Sequence, residues 1–291
     1  MWKLLQIELF KIFKRPRTYI SFGAVGILVL IIQFGLKSDG KEYVDFMLRD
    51  LSVTFDIQGK VLNGYLVCFI ILQLLLVHVP LLITLIAGDL ISGEANMGTL
   101  RLLLSKPVSR TQIVLAKFLA VTLYIFLLLT WMAMLALFVS MALFGTDDML
   151  NLKSGYIVQL KSNDILWRYL CAFGFAAIAM LTVAALGFFL SIFAENSIGP
   201  IVATMSIIVT FTILSTLDIP VFNALKPFLF TTHMIGWKGF FDVKVNEDNE
   251  AIAGSVQNFA KVVQAAAILC FHIIALLVAS IVAFNKKDIL S

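Results

Sequence analysis

Few residues in this chain are placed to do chemistry, and most fall in one short stretch. Between positions 88 and 110 the sequence reads GDLISGEANMGTLRLLLSKPVSR, where Asp89, Glu94, Arg101, Lys106 and Arg110 separate two long apolar runs. A carboxylate such as Glu94 can accept charge-assisted hydrogen bonds or pair with a cation, which contributes about 1.5–3 kcal/mol. Glu94 and Arg101 are seven residues apart and so share roughly one side of a helix. This chemistry is recognition. Catalytic patterns are missing: there is no G-x-x-x-x-G-K-[ST] loop to cradle phosphate, no H-E-x-x-H and no G-x-S-x-G. His78, His233 and His272 are far apart in sequence, and no further ligands suggest a shared metal. For His78 and His272, inside apolar runs, a neutral ring hydrogen-bonded between helices is expected, with an intramembrane functional group as the alternative. Cys68, Cys171 and Cys270 stand singly in apolar runs and read as buried small hydrophobes. The expectation is a chain with no catalytic residue, metal or cofactor of its own.

The elements that carry these residues belong in lipid. The chain has 291 residues, 60% hydrophobic and 14% charged, with a mean hydropathy of +0.98. Soluble domains run near half apolar and a quarter charged. A span of ~30 Å of hydrocarbon takes about 20 helical residues. Six runs qualify, at 19–36, 61–87, 118–144, 169–193, 197–217 and 262–284. They are continuously apolar rather than alternating, which favours helices over barrel strands. The first run begins near Tyr19 and no A-x-A-like site follows it, so no cleavable signal peptide is expected. The formal charge of +4 is small, and no basic patch with interleaved aromatics points to nucleic acid.

Six spans put both termini on one side. The segments on that side hold 11 Lys/Arg in 58 residues, and the opposite loops hold 9 in 87. Basic density therefore places both termini in the cytoplasm. Residues 1–18 read as an interfacial helix. Trp2, Leu5, Leu9, Ile12 and Phe13 fall on one stripe, with Lys3, Lys11, Lys14 and Arg15 facing headgroups. Pro16 should end that helix and let the chain turn into the bilayer. The loop at 218–260 is rich in aromatics but broken by Pro227, Gly236 and Gly239. It reads as one or two short re-entrant or interfacial helices, with Trp237 in the headgroup zone, followed by a polar tip at 246–250.

The small residues of the fourth run, Ala172, Ala176, Ala179, Ala184 and Gly187, suit close helix packing. No ionisable relay sits fully inside a run, because Asp89, Glu94, Arg168 and Glu195 all fall near run ends. A carrier driven by protons or sodium usually needs such a relay. Energy for transport is therefore expected from another chain. The opening stretch would lie on the cytoplasmic side as a compact amphipathic helix over 90–104, with Leu100, Leu103 and Leu104 as its apolar face and Pro107 as its stop.

Here the sequence resembles the type-2 ABC export permeases. The resemblance rests on E-x-x-x-G-T-L (Glu94, Gly98, Thr99 and Leu100), then LLLSKPVSR ending at Arg110, then Lys117 opening the next span. The six spans, the basic N-terminal helix, the broken last loop and the charged end NKKDIL extend it over nearly the whole chain. It implies a single permease domain over 1–291, an all-α membrane protein of six transmembrane helices. It also implies that 88–110 is a coupling helix docking in a separate ABC ATPase, with Glu94, Gly98, Thr99, Leu100, Arg101, Pro107, Ser109 and Arg110 as coupling positions. ATP and magnesium would then sit on that partner. A second permease chain, identical or not, would complete the pathway in a bacterial cytoplasmic membrane. A mechanical subunit that moves no substrate is the alternative, and an autonomous channel or carrier is a weaker one.

Overall fold

The computed structural model describes residues 1–48, 61–153, 156–217, 219–246 and 251–287. Six helices among them are long and apolar enough to cross a membrane: Pro16–Gly40, Gly64–Asn96, Arg110–Phe144, Ser162–Phe193, Ile198–Thr216 and Phe259–Lys286. The chain is an all-α membrane protein, with each expected run inside or nearly inside one of these helices. We number the elements α1 (Trp2–Lys14), α2 (Pro16–Leu48), α3 (Gly64–Ala87), α4 (Ser92–Asn96), α5 (Thr99–Leu104), α6 (Arg110–Ala133), α7 (Ser140–Phe144), α8 (Leu166–Phe193), α9 (Ile198–Thr216), α10 (Pro220–Asn223), α11 (Phe230–Met234) and α12 (Phe259–Lys286). A wider helical turn, Met134–Val139, joins α6 to α7.

Pro16 acts as expected. α1 stops at Lys14, Arg15 is extended at φ −85° and ψ 132°, and Pro16 opens α2. A proline disfavours helical backbone in the residue before it, while its own fixed φ suits a first helical position. The helix α2 then runs past the expected end of the first span to Leu48, with a break in helical geometry at Asp39.

The span α8 is the most buried and lies against α3, α6, α9 and α12. Its small side chains Ala172, Ala176, Ala179 and Ala184 are all buried, which is what close approach of neighbouring helices requires. The spans α9 and α12 keep most of their surface outward. The end of the bundle carrying α1, α4, α5 and the end of α12 is the terminal face. The other end is the loop face.

The loop face holds a feature the sequence reading lacks. Residues Met149–Lys153 (β1) and Tyr156–Leu160 (β2) pair as an antiparallel hairpin, with Met149 opposite Leu160. Asn63 joins it to α3: its Oδ1 accepts from Leu66 N at 2.9 Å, capping the helix, and its Nδ2 donates to Asp148 O at 2.7 Å. Within the expected external loop, residues 220–241 fold as short helices that turn back into the bundle. The ring of Phe230 lies 6.3 Å from that of His272, roughly 20 Å along α12 from Phe259 at 1.5 Å per residue. Trp237 is part of that returning segment. It is 1% exposed, with its ring 5.2 Å from Phe69 and 6.2 Å from Phe241. Apolar contact with the bundle places the indole inside. Part of the polar tip, 247–250, and half of the NKKDIL end, 288–290, lie outside the described residues.

The charged elbow between the second and third spans

The α3 span ends at Ala87, and the chain bends through Gly88 and Asp89 into α4. A helix start leaves amide groups without partners. Ser191 of α8 accepts from Ile91 N at 3.1 Å and Ser92 N at 2.9 Å, while Ser92 Oγ donates to Gly88 O at 2.7 Å. Asp89 is buried and bound to Arg15, to Ser197 and, at 3.1 Å, to Arg17. A side chain at position 93 would collide with that carboxylate, so Gly93 lets the turn close. The elbow is thus tied to α8, α9 and the α1–α2 junction.

Glu94 is the centre of a second cluster. Its Oε1 lies 2.8 Å from Lys11 Nζ and 2.7 Å from Lys117 Nζ. Glu8 meets the same two lysines, each at 2.8 Å. Two acids and two bases alternate in a ring that joins α1, α4 and α6. Lys117 is wholly buried, and Glu8 and Glu94 are 1% and 3% exposed. Buried charges persist only when paired and hydrogen-bonded, and here each base has two acids. Burial pulls the Lys11 pKa down, but the hydrogen bonds to Glu8 and Glu94 outweigh it and hold the ammonium above its ordinary value. Glu94 Oε2 is buried with no partner.

This geometry corrects one expectation. Glu94 is not an exposed carboxylate reaching for another chain, because Lys11 and Lys117 converge on it. Lys11 and Arg15, both partly exposed, are also ion-paired within the chain, to Glu94 and Asp89. In α1 the buried side is Leu5, Glu8 and Ile12, and Trp2 and Lys14 remain exposed.

The expected helix over 90–104 is two helices. Gly98 adopts φ +70° between α4 and α5, a left-handed geometry that costs other residues roughly 1–2 kcal/mol. Leu100 is 1% exposed, and Leu103 and Leu104 pack beside it on the core. Thr99 Oγ1 donates to Glu94 O at 3.3 Å. The outward edge carries Met97 and Leu102, 59% and 68% exposed, beside exposed Gly98, Thr99, Arg101 and Pro107. Ser109 caps α6 in a reciprocal box with Gln112.

Arg110 has a further partner. Its Nη1 donates to Phe284 O, Asn285 O and Lys287 O at 3.1, 3.0 and 2.8 Å. The last carbonyls of a helix lack partners and carry its negative dipole end, so a guanidinium there satisfies both. Arg110 pins the end of α12 to the start of α6. Arg110→Leu should lower stability by about 1–3 kcal/mol, as expected for charge-assisted bonds, and expose the chain end to carboxypeptidase. Thermal unfolding in detergent and C-terminal mass analysis check both.

Sequence reasoning reached most of the elbow but missed Glu8, Met97, Leu102 and Ser191. A signal existed for Glu8: it is the one acid of α1 and lies between Leu5 and Ile12 at helical spacing. Nothing local marks Ser191. The histidines also differ from expectation, since each bonds its own helix: His78 Nδ1 to Leu74 O and His272 Nδ1 to Ile268 O, both at 2.8 Å.

Six apolar helices with α8 at their centre, closed at one end by an ion-paired elbow, define a multi-pass membrane protein. Residues 18–289 match the family model described as ABC-2 family transporter protein, and the chain belongs to that family. The family is one of ABC transporter membrane subunits. The sequence is similar to a Bacillus subtilis protein described as uncharacterized protein YhcI, 28% identical over 119 residues. That match covers 39% of this chain and 37% of the relative.

Proposed function

We propose that the chain is the permease of an ATP-driven exporter, coupled through the 88–110 elbow to a separate ATPase that carries ATP and magnesium. Two permease chains, identical or not, form the pathway in a bacterial cytoplasmic membrane, with both termini and the elbow in the cytoplasm. Residues 1–291 act as one permease domain. The observation that supports coupling is the construction of the elbow. Glu94, Leu100, Ser109 and Arg110 hold it to α1, α6, the core and α12. Met97, Gly98, Thr99, Arg101, Leu102 and Pro107 present its outer edge. A push on that edge is passed to α3 and α6 together, because the ion-paired ring does not let the elbow move alone.

The roles within the elbow therefore divide. Met97 and Leu102 supply apolar area for the ATPase, and Glu94 keeps the platform rigid. Met97→Glu with Leu102→Asp should weaken ATPase binding roughly tenfold to a hundredfold, since burying a new unpaired charge at an interface costs at least ~1.4 kcal/mol per decade lost. The permease should keep its unfolding midpoint, because both side chains are exposed. Affinity and ATP turnover in reconstituted vesicles test this. Wild-type affinity in the double variant would remove the elbow edge as the docking surface.

A further inference from the structure

The α3 span carries an anomaly along its middle. Gln73, Leu74, Val77 and His78 are exposed, and their spacing makes them one broad helical stripe. Gln73 lies roughly 13 Å and His78 roughly 21 Å along α3 from Gly64, at 1.5 Å per residue. Both depths fall inside a hydrocarbon layer of ~30 Å. An amide and an imidazole against lipid tails would lose hydrogen bonds that nothing there replaces. Such groups in a membrane helix normally face a polar cavity or a ligand.

A cavity of about 460 Å³ opens over this stripe. Its far wall is Met180 of α8 with Met234, Trp237 and Lys238 of the re-entrant segment. Lys238 brings a cation into it. The ammonium lies 5.9 Å from the centre of the Trp237 ring, and no described carboxylate is within ion-pairing distance. His78 fixes its own proton: Leu74 O can only accept, so Nδ1 donates to it. With the proton on Nδ1, a ring carrying one proton has its lone pair on Nε2. The chamber thus holds an ammonium, an amide and an imidazole acceptor. A phosphate-type headgroup bearing a hydroxyl matches that set. Its oxygens accept from Lys238 and Gln73, and its hydroxyl donates to His78.

A second cavity, about 480 Å³, shares Gln73 and Leu74 with the first. Its walls are mainly apolar, with Ile32, Leu36, Phe69 and Ile70 among them. The first chamber is mostly apolar too, with Leu74, Leu76, Val77, Met180 and Met234 in its lining, and three polar groups set in such walls favour a molecule with a charged head and a hydrocarbon chain over a free anion.

We propose that these adjoining chambers bind an anionic amphiphile from the bilayer, its head on Lys238, Gln73 and His78 and its chain along the apolar walls. The site goes beyond the coupling reading and stands without it, because binding needs only this chain.

Native mass spectrometry of the full-length chain in neutral detergent tests it, with phosphatidylglycerol and phosphatidylcholine of the same acyl composition as probes. Phosphatidylglycerol should bind about tenfold more tightly. Lys238→Gln should weaken it roughly tenfold and Lys238→Arg should retain it, as expected for one charge-assisted contact. Gln73→Leu, on the opposite wall and suited to a lipid-facing helix, should weaken it in the same direction. Lys161→Gln, an exposed lysine outside the chambers, should leave it unchanged. Inorganic phosphate in tenfold excess should not displace the lipid. Equal binding of the two lipids overturns the proposal, and so does unchanged affinity in both Lys238→Gln and Gln73→Leu. Displacement by inorganic phosphate overturns the amphiphile in favour of a free anion. A chain that binds phosphatidylglycerol in this way yet recruits no ATPase would keep the site and sink the coupling reading.

Discussion

Lys117→Met is expected to cost about 3–5 kcal/mol of stability, the range for removing one partner of a buried ion pair. Lys117 is wholly buried and lies 2.8 Å from Glu8 and 2.7 Å from Glu94. Without it, the two acids share Lys11 alone, and one buried negative charge is left uncompensated. The damage should concentrate where the ring joins α1, α4 and α6. Adding Glu8→Gln restores neutrality, leaving Lys11 with Glu94, and should recover most of the loss. Denaturant unfolding in detergent measures both variants. A Lys117→Met midpoint within error of wild type would mean that the ring is open to water. Glu94→Ala should behave alike, destabilising the elbow and lowering ATP turnover together. That joint loss separates it from substitutions on the outer edge, which should lower turnover alone.

The second large effect is expected on the loop face. Arg168 is fully buried at the start of α8. Its guanidinium meets Asp164 Oδ2 at 2.5 Å and donates to Phe240 O at 2.6 Å. Asp164 in turn accepts from Trp167 Nε1 at 2.8 Å and Gly254 N at 2.9 Å. One ion pair therefore fastens the returning segment to the bundle at Phe240 and Gly254. Arg168→Leu strands the Asp164 carboxylate and frees the Phe240 carbonyl. The cost should be about 3 kcal/mol, near the lower end for a broken buried pair, because Asp164 keeps its two other donors. The re-entrant segment should loosen first. Trp237 emission should shift to the red as its ring leaves Phe69 and Phe241, and protease should cut within 219–246. The double variant Arg168→Leu with Asp164→Leu should be milder than Arg168→Leu alone, since no charge is stranded. ATPase binding should be unchanged, because the elbow is at the other end of the bundle. An Arg168→Leu chain with unshifted Trp237 emission would show that aromatic packing alone holds the segment.

What the sequence determined follows from local physics. Six apolar runs near 20 residues specify six helices because unpaired backbone groups cannot be left in hydrocarbon. Pro16 separates α1 from α2 because its ring acts on its immediate neighbour. Gly98 could be seen as a weak point in the elbow helix, but the full break there depends on a positive φ that the surrounding contacts impose. The hairpin at 149–160 is short and its polar and apolar residues are mixed, so no clear alternation announced it. Tertiary structure alone decided which charges meet. Lys11 and Glu94 are 83 positions apart, and Glu8 and Lys117 are 109 apart. Periodicity assigns each of these residues to a helix face, and only the packing of α1 across α4 and α6 shows that the faces coincide. The same holds for Trp237: an aromatic beside a glycine reads alike at a headgroup surface and in a core, and contact with Phe69 and Phe241 chose the core. Helix formation is fixed by neighbours within a few residues, whereas the pairing of buried charges is fixed by which helices the fold brings together, and that is where the elbow takes its form.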